Sequence, residues 1–256
     1  MDEALIEQRD ERGVFTLTMN RAANFNALSE EMLAALQAAL DRVREDAAAR
    51  VVVLAAAGKA FCPGHNLKEM IATPSLDYYQ RLFEQCSRMM LAIQKLPVPV
   101  IARVHGIATA AGCQLVAQCD LAVAADTASF AVSGVNFGLF CSTPSVPLLR
   151  NIAPKQAMEM LVTGDFITAR QALERGLVNR VCAPEQLDAE VEKLVASILS
   201  KPRTAIAMGK ELFYRQREMG IEAAYQLANQ TMAVNMMDAC AQEGVTAFAQ
   251  KRKPAW

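Results

Sequence analysis

The sequence has no surplus of charge, few histidines and no long hydrophobic run. Its 26 lysines and arginines nearly balance 27 acidic residues, so neither nucleic acid nor a membrane surface is expected as a partner, because both need many cationic contacts. The longest apolar run, residues 51–57, is far too short to cross a bilayer. Two histidines, at 65 and 105, form no HExxH motif, and no phosphate-binding loop is present. We therefore expect no metal ion and no separate cofactor.

Cysteine pairs are also missing. The seven cysteines form no CxxC motif, and an odd number cannot pair completely within one chain. Reduced thiols in a reducing compartment are expected. The first seven residues are acidic and lack the pattern of a secretory signal. A cytoplasmic location is predicted from these features.

What the chain does contain is typical of a folded globular protein. Of its 256 residues, 53% are apolar and 21% are charged, which excludes disorder as the main state. The length allows one large domain or two small ones.

Hydrophobic patterns in the first 150 residues predict an α/β fold. Apolar residues recur at helical spacing after Ser29, a good N-cap, and β-branched runs read as buried strands. The predicted strands are 4–8, 14–19, 51–55, 98–104 and 121–125, and a second predicted helix spans 78–96. Alternation of strands and helices favours a layered α/β domain.

After Asn151 the pattern becomes almost wholly helical. Several segments open with proline or threonine, which favour helix starts. The predicted helices are 154–163, 168–176, 184–200, 202–217 and 221–248, with one strand at 178–182.

Three irregular, glycine-marked turns are the candidate functional segments: residues 61–69, 106–120 and 130–138. The small residues Ala110, Ala111 and Gly112 precede a helical stretch and leave its first N–H groups uncovered. Such a helix start can hold an anion or a developing oxyanion. Tight packing of a strand against a helix explains the same residues equally simply.

In this order and spacing, the three turns resemble the enoyl-CoA hydratase/isomerase (crotonase) family. The family's F-x-A-G-A-D-L-x-E turn is matched by residues 61–69, with departures at Pro63, His65 and Asn66. Residues 105–120 match its second glycine-rich turn, and 248–254 match its ending. Within the family, residues 110–117 and 134–144 resemble the type called enoyl-CoA hydratase domain-containing protein 3.

The resemblance implies a fold, a ligand and an assembly. The fold is a superhelix of repeated ββα units in residues 1–195, followed by a helical trimerisation region in residues 196–256. The ligand is an acyl-CoA substrate whose coenzyme A is part of the substrate, which suggests a lyase of fatty-acid or acyl-CoA metabolism. Homotrimers or hexamers are expected, and the helix beginning at Ile221 is apolar on more than one face.

The resemblance also implies roles for individual residues. The backbone N–H groups of His65 and Ala111 match the two donors that hold the thioester carbonyl in an oxyanion hole. Lys68, Phe248 and Lys251 match positions that contact coenzyme A, the two lysines at its phosphates. Without the resemblance, both lysines read as ordinary solvated side chains.

Two departures put ordinary hydration in doubt. The family's catalytic glutamates are replaced by Gln114 and Gly134. Glutamine cannot accept a proton near neutral pH, and glycine has no side chain. The same chain could therefore be an enolate-stabilising enzyme, a protein that binds acyl-CoA without turnover, or a decarboxylase-like enzyme that uses the His65 side chain.

Other polar residues have simpler interpretations. Cys113 and Cys141 could be nucleophiles, but free cysteines are usually buried small hydrophobes. His105 is expected to be structural. Asp120 is expected to end a helix or to hold neighbouring backbone, and not to act as a base.

Overall fold

The computed structural model describes residues 3–256, and in these residues strands and helices alternate before a helical end. The strands are β1 (Leu5–Arg9), β2 (Val14–Met19), β3 (Val51–Ala56), β4 (Val100–Val104), β5 (Ala108–Thr109), β6 (Leu121–Ala125), β7 (Ser129–Ala131), β8 (Ile167–Thr168) and β9 (Arg180–Cys182). The α-helices are α1 (Glu30–Glu45), α2 (Leu67–Ala72), α3 (Leu76–Lys95), α4 (Ala111–Gln118), α5 (Ser142–Asn151), α6 (Pro154–Thr163), α7 (Ala169–Glu174), α8 (Leu187–Leu199), α9 (Arg203–Gln216), α10 (Ile221–Met236) and α11 (Ala239–Ala249). Short 3-10 helices lie at Ala22–Asn24, Ser133–Phe137 and Pro184–Gln186.

The strands form two sheets. The larger has the order β1-β2-β3-β4-β6-β9, and the smaller has the order β5-β7-β8. Only β1 runs antiparallel to its neighbour in the larger sheet. Parallel strands need crossovers between them, which here contain α1, α3 and α4.

The larger sheet is buried on both faces, which explains its β-branched strands. Alternate residues of β3 point to opposite faces: Val52 and Leu54 join the main core with α1 and α3. Val51 and Val53 pack instead with Leu187, Val191 and Val195 of α8. Residue 195 thus lies within α8, and the division of the chain there stays a prediction.

The smaller sheet brings the functional turns together. Thr109 of β5 pairs with Ala131 of β7 in parallel register. Directly after this pair, the Ala110 N–H donates to the Ala131 carbonyl at 3.0 Å. Isolated bridges join Cys62 to Ala108 and Leu28 to the first turn. The first, second and third turns therefore meet at one edge.

The close approach of α4 to the first turn requires glycine at residue 112. A Cβ at residue 112 would lie 2.0 Å from the Cys62 carbonyl oxygen, far inside van der Waals contact. The start of α4 can approach the first turn so closely only because residue 112 has no side chain.

The helical end is joined to the core through a buried ion pair. Lys210 Nζ donates to Asp120 Oδ2 at 2.6 Å and to the carbonyls of Ile93 and Val98. Asp120 also accepts from the Val100 N–H and the Tyr214 hydroxyl. Because its oxygens are used in this way, Asp120 holds neighbouring backbone, as expected from the sequence.

Several helices and strands differ from the sequence-based prediction. The long helix predicted at 221–248 is broken into α10 and α11, because the Asp238 side chain caps a new start by accepting from the Cys240 N–H. The helices α2 and α5 and the two-residue strands β5 and β8 were not predicted, since such short elements carry little periodicity. No helix within residues 3–256 combines the length and apolarity needed to cross a membrane.

Candidate active site

A cavity of about 700 Å³ opens where the turns meet. Its wall includes residues of the first turn, the start of α4, and the segment from Ser133 to Pro144. Of the predicted catalytic residues, His65, Ala111 and Gly134 line it, and Gln114 does not.

Two backbone N–H groups at the cavity wall have no partner. Within residues 3–256, neither the His65 nor the Ala111 N–H donates a hydrogen bond. Gly64, immediately before His65, has a φ of +106°, a conformation that favours glycine. A Cβ at residue 64 would lie 3.2 Å from the Ala111 nitrogen. The two segments are therefore in contact. The Ala111 amide is also the first of α4, where the helix dipole favours negative charge.

The backbone before Ala111 is in an unusual conformation. Ala110 has φ 50° and ψ −121°, a region that L residues rarely occupy, and it caps α4 without a side-chain hydrogen bond. Such a conformation persists only where surrounding structure holds it, and it is concentrated at functional sites. Here it leaves the first N–H of α4 free to face the cavity.

The His65 imidazole lies in the same wall but is not an obvious acid or base. Its ring packs edge-on against Phe83, with the ring centroids 5.5 Å apart. Both ring nitrogens are buried, and within residues 3–256 neither makes a hydrogen bond of ordinary geometry. Burial lowers the pKa of His65, although the nearby Leu28 backbone opposes this shift. The imidazole is therefore neutral at physiological pH.

Gln114 lies behind the amide of Ala111, one turn further along α4. It is only 4% exposed, and its Oε1 is buried without a hydrogen-bond partner. An unpaired buried carbonyl oxygen can orient a water molecule or a polar ligand group, but an amide cannot take up a proton near neutral pH.

Gly134 has no room for any side chain. A Cβ at this position would lie 2.4 Å from the Leu139 carbonyl oxygen and 2.8 Å from Cys141 Sγ. The Gly134 N–H donates to that sulfur at 3.2 Å, and the Leu139 N–H donates back to the Gly134 carbonyl. The space that a side chain at residue 134 would need is therefore filled by the Leu139 backbone and by the Cys141 side chain. This packing could not be read from the sequence.

The sequence analysis missed a hydroxyl pair beside this position. Thr109 Oγ1 and Ser133 Oγ lie 2.8 Å apart, and both residues are buried. Ser133 also lines the cavity. Its only sequence signal is a place in the third turn, immediately before Gly134, and serine is too common in turns for that to be decisive.

The predicted coenzyme A contacts are only partly at the cavity. Lys68 is exposed and lines the cavity. Phe248, which is 87% exposed, and Lys251 lie outside its wall. One chain does not bring these residues to the other site residues, and their roles stay predictions.

The thiols and the second histidine have structural roles. Burial raises the pKa of Cys113 to about 12 and also raises that of Cys141, so neither is a thiolate at neutral pH. His105 Nε2 donates to the Gly58 carbonyl at 2.9 Å, which holds the loop after β3. All seven cysteines are free thiols.

Solved structures and curated relatives share the fold over almost the whole chain. A crystal structure of enoyl-CoA hydratase from Mycobacterium smegmatis has 64% identity and a TM-score of 0.99, covering 100% of this chain and 99% of that one. Human enoyl coenzyme A hydratase domain-containing protein 3 has 42% identity and a TM-score of 0.95, covering 99% and 100%. The mitochondrial protein of the same name from Mus musculus is 44% identical over 252 residues, covering 98% of this chain and 84% of the relative. The predicted crotonase-like fold is confirmed.

The predicted cytoplasmic location is contradicted by these relatives. The proteins of this name from mouse, rat, Xenopus laevis and human are all called mitochondrial. The prediction relied on reduced thiols and an acidic start. Free thiols are compatible with any reducing compartment, so they could not distinguish the cytoplasm from another such compartment.

The family model agrees with these similarities. The description of that model is enoyl-CoA hydratase/isomerase, and it matches residues 9–256, so the three turns and the helical end fall within the match. The chain therefore belongs to the enoyl-CoA hydratase/isomerase family and is similar to its domain-containing protein 3 members.

Proposed function

We propose that the protein is an acyl-CoA enzyme that binds the thioester carbonyl at the His65 and Ala111 amides and stabilises an enolate there. The observation that carries this proposal is the pair of N–H groups that adjoin one cavity and have no partner in residues 3–256. Both are backbone groups on constrained segments, so they need little reorganisation when a ligand binds.

The chemistry follows from where charge develops. When the proton on the carbon next to the thioester passes to a solvent base in the cavity, the C–H electron pair moves onto the carbonyl oxygen, which becomes negative. Two oriented donors stabilise that charge more than the neutral carbonyl, by about 3 kcal/mol for each donor in comparable sites. The dipole of α4 acts in the same direction, because Ala111 begins that helix.

Addition of water is a less well supported reaction for this chain. It needs groups that hold a water molecule and move its protons. Gln114 can hold a water molecule but cannot take up its proton, and Gly134 has no space for a carboxylate. We therefore place the protein among the enolate-stabilising members of its family, with hydration weak or absent.

The remainder of the ligand would extend from the cavity toward Lys68, whose ammonium suits a phosphate of coenzyme A. Contacts from Lys251 and Phe248 would come from a neighbouring subunit. The helical end supports such an assembly, since Tyr225, Met232 and Met237 are exposed. We expect light scattering to report a trimer or hexamer, and a 27.8 kDa monomer would contradict this part of the proposal.

Hydrogen exchange at carbon 2 tests the proposal without assuming a particular reaction. We would incubate the protein with butyryl-CoA in deuterium oxide and follow deuterium uptake by mass spectrometry. Wild-type protein is expected to accelerate exchange with a solvent base as the proton acceptor, because the two amides stabilise the enolate that this exchange passes through. Ala111→Pro removes one N–H at the first position of α4, where proline is compatible with a helix. It should abolish exchange while retaining the wild-type circular dichroism spectrum.

If Ala111→Pro alters the fold, Gly64→Ala provides a second variant at the same place. Its new Cβ would approach the Ala111 nitrogen to 3.2 Å and cover that donor. Full exchange activity in a folded variant of either kind would remove these amides from the site. A parallel screen of short enoyl-, 3-enoyl- and malonyl-type CoA esters would identify the reaction.

The second candidate function is acyl-CoA binding without turnover. It is favoured by the packing of Leu139 and Cys141 against Gly134, which removes one proton-transfer position completely. Binding of butyryl-CoA with no exchange at carbon 2 would select this candidate. Decarboxylation with the His65 side chain remains a third prediction, although a neutral imidazole offers no cation to a carboxylate. Turnover of malonyl-type esters is its test.

A further inference from the structure

Ser133 differs from every other polar residue of the cavity wall. In the described chain, it is the one hydroxyl, amide or charged residue of the lining that is buried, with 9% of its surface exposed. Its hydroxyl oxygen lies 2.8 Å from that of Thr109, and either could be the donor. The nearby groups at Gly134 and Cys141 offer a ligand only a weakly polar surface.

Counting hydroxyl protons shows that one donor of this pair is unused. The two side chains have two O–H protons, and one is consumed between them. Neither hydroxyl has another partner in residues 3–256. If Ser133 donated to Thr109, the unused proton would be on Thr109, which does not line the cavity. A buried hydroxyl proton without an acceptor is costly. Donation from Thr109 to Ser133 avoids that cost, because the free proton is then on Ser133, which lines the cavity.

The pair is also close to the carbonyl position. Thr109 precedes Ala111 by two residues, a separation of about 7 Å or less along the chain. Ser133 follows β7, which is paired with β5 at Thr109. Ala111 and Ser133 line the same cavity, so an acyl group whose carbonyl reached the Ala111 amide could extend toward the Ser133 hydroxyl.

We propose that Ser133, oriented by Thr109, is a specificity-determining residue that donates a hydrogen bond to a neutral oxygen on the second or third carbon of the acyl group. This inference rests on the proposed binding of an acyl-CoA thioester at the same cavity. Neutral oxygen fits better than carboxylate because, within residues 3–256, no arginine lines the cavity and the single lysine that does, Lys68, is exposed. A carboxylate buried beside Ser133 would lack an ionic partner.

The test compares the dissociation constants of 3-hydroxybutyryl-CoA and butyryl-CoA by isothermal titration calorimetry. Wild-type protein is expected to bind the hydroxy ester about tenfold more tightly, the usual scale of one neutral hydrogen bond in a buried site. Ser133→Ala should reduce the ratio to about one without changing the affinity for butyryl-CoA. Thr109→Val should reduce it partly, because the Ser133 hydroxyl remains but loses its orienting donor.

Two further variants keep the test decisive. Thr109→Ser retains the orienting hydroxyl and should retain the tenfold ratio even if Thr109→Val is unstable. Ser145→Ala serves as the matched control, since Ser145 lies outside the cavity wall and its hydroxyl donates to the Ser142 carbonyl. It should behave as wild type.

The outcomes separate this inference from the proposed function. Equal affinity of wild type for both esters would overturn the role of Ser133 while leaving thioester binding intact. A preserved ratio in Ser133→Ala would do the same. Tighter binding of malonyl-CoA than of 3-hydroxybutyryl-CoA would show that the cavity selects an anion, which also contradicts the inference. If no CoA ester binds at all, the proposed function itself fails.

Discussion

The two halves of the cavity are built differently. The carbonyl half, around His65 and Ala111, is held by a left-handed glycine, a strained Ala110 and the close contact of Gly112 with Cys62. The proposed proton-transfer half contains Gly134, which is covered by Leu139, with Gln114 and its unpaired oxygen buried next to the cavity wall and not in it. The first half depends on backbone geometry that side-chain changes at residues 65 and 111 leave intact. The second half depends on side chains, so replacements there change its chemistry directly.

This contrast implies that binding and turnover can be separated in one fold. Every residue except proline carries a backbone N–H, so histidine or alanine can occupy a donor position. Proton transfer needs a group that titrates near the working pH. In the described chain, no aspartate or glutamate lines the cavity.

The largest expected effect comes from disturbing the carbonyl half at Gly112. Gly112→Ala would place a Cβ 2.0 Å from the Cys62 carbonyl oxygen, inside a rigid contact between two backbone segments. We expect unfolding in urea to show a loss of about 3 kcal/mol, the upper range for overpacked sites.

Gly209→Ala is the matched control for this substitution. Gly209 lies in α9 with no atom within 4 Å of the added Cβ. Because alanine favours a helix more than glycine does, this variant should be stabilised by up to about 1 kcal/mol. Equal stabilities for the two variants would contradict the proposed close contact at Gly112.

A smaller loss is expected at Gly134, in the other half. Gly134→Ala must displace the Leu139 carbonyl, which lies 2.4 Å from the new Cβ, and should cost about 2 kcal/mol in the same urea titration. For the same reason, Gly134→Glu should fail to produce a hydratase. Gly138→Asn is the control, because nothing lies within 4 Å and asparagine tolerates its φ of +77°. It should change stability by less than about 1 kcal/mol.

Gln114→Glu tests whether the proton-transfer half can be restored in part. A carboxylate at this buried position would have a raised pKa and could accept a proton from water. We expect crotonyl-CoA hydration, followed by the loss of enoyl absorbance, to rise about tenfold, below the usual full contribution of a general base.

Gln118→Glu is the control for Gln114→Glu, because Gln118 is the last residue of the same helix and its side chain donates to Gln94 Oε1. It should leave the hydration rate unchanged. If the wild-type protein already hydrates crotonyl-CoA at ordinary enzyme rates and Gln114→Glu adds nothing, the contrast between the two halves is wrong.

The smallest effect is a pH dependence that originates at His65. Because burial lowers its pKa in the folded state, the unfolded chain binds more protons below about pH 6.5. This contribution should therefore reduce stability as pH falls from about 7 toward 5, and it should be absent above that range. His65→Phe, which can keep the contact with Phe83, should show a weaker decline. Parallel pH profiles for the two proteins would place the titration elsewhere.

Much of the fold could be predicted because its signals are local. The valine-rich run in Val51–Ala56 indicates a buried strand, and the apolar residues at helical spacing after Ser29 indicate a helix. The break between α10 and α11 was missed, since one capping aspartate within a long helical pattern is a weak signal. Short strands such as β5 depend on partners distant in sequence, and periodicity does not report those partners.

For the site, the sequence alone identified the turns at 61–69, 106–120 and 130–138, and the family resemblance predicted that Gln114 and Gly134 stand where other members have carboxylates. Residue identity is enough for those conclusions, because it determines which groups can titrate. Only the tertiary structure decided that Gly134 is covered by Leu139, that Gln114 Oε1 is unpaired, and that Thr109 meets Ser133. Each of these depends on distances between segments far apart in the chain, which are set by how the two sheets and α4 pack together.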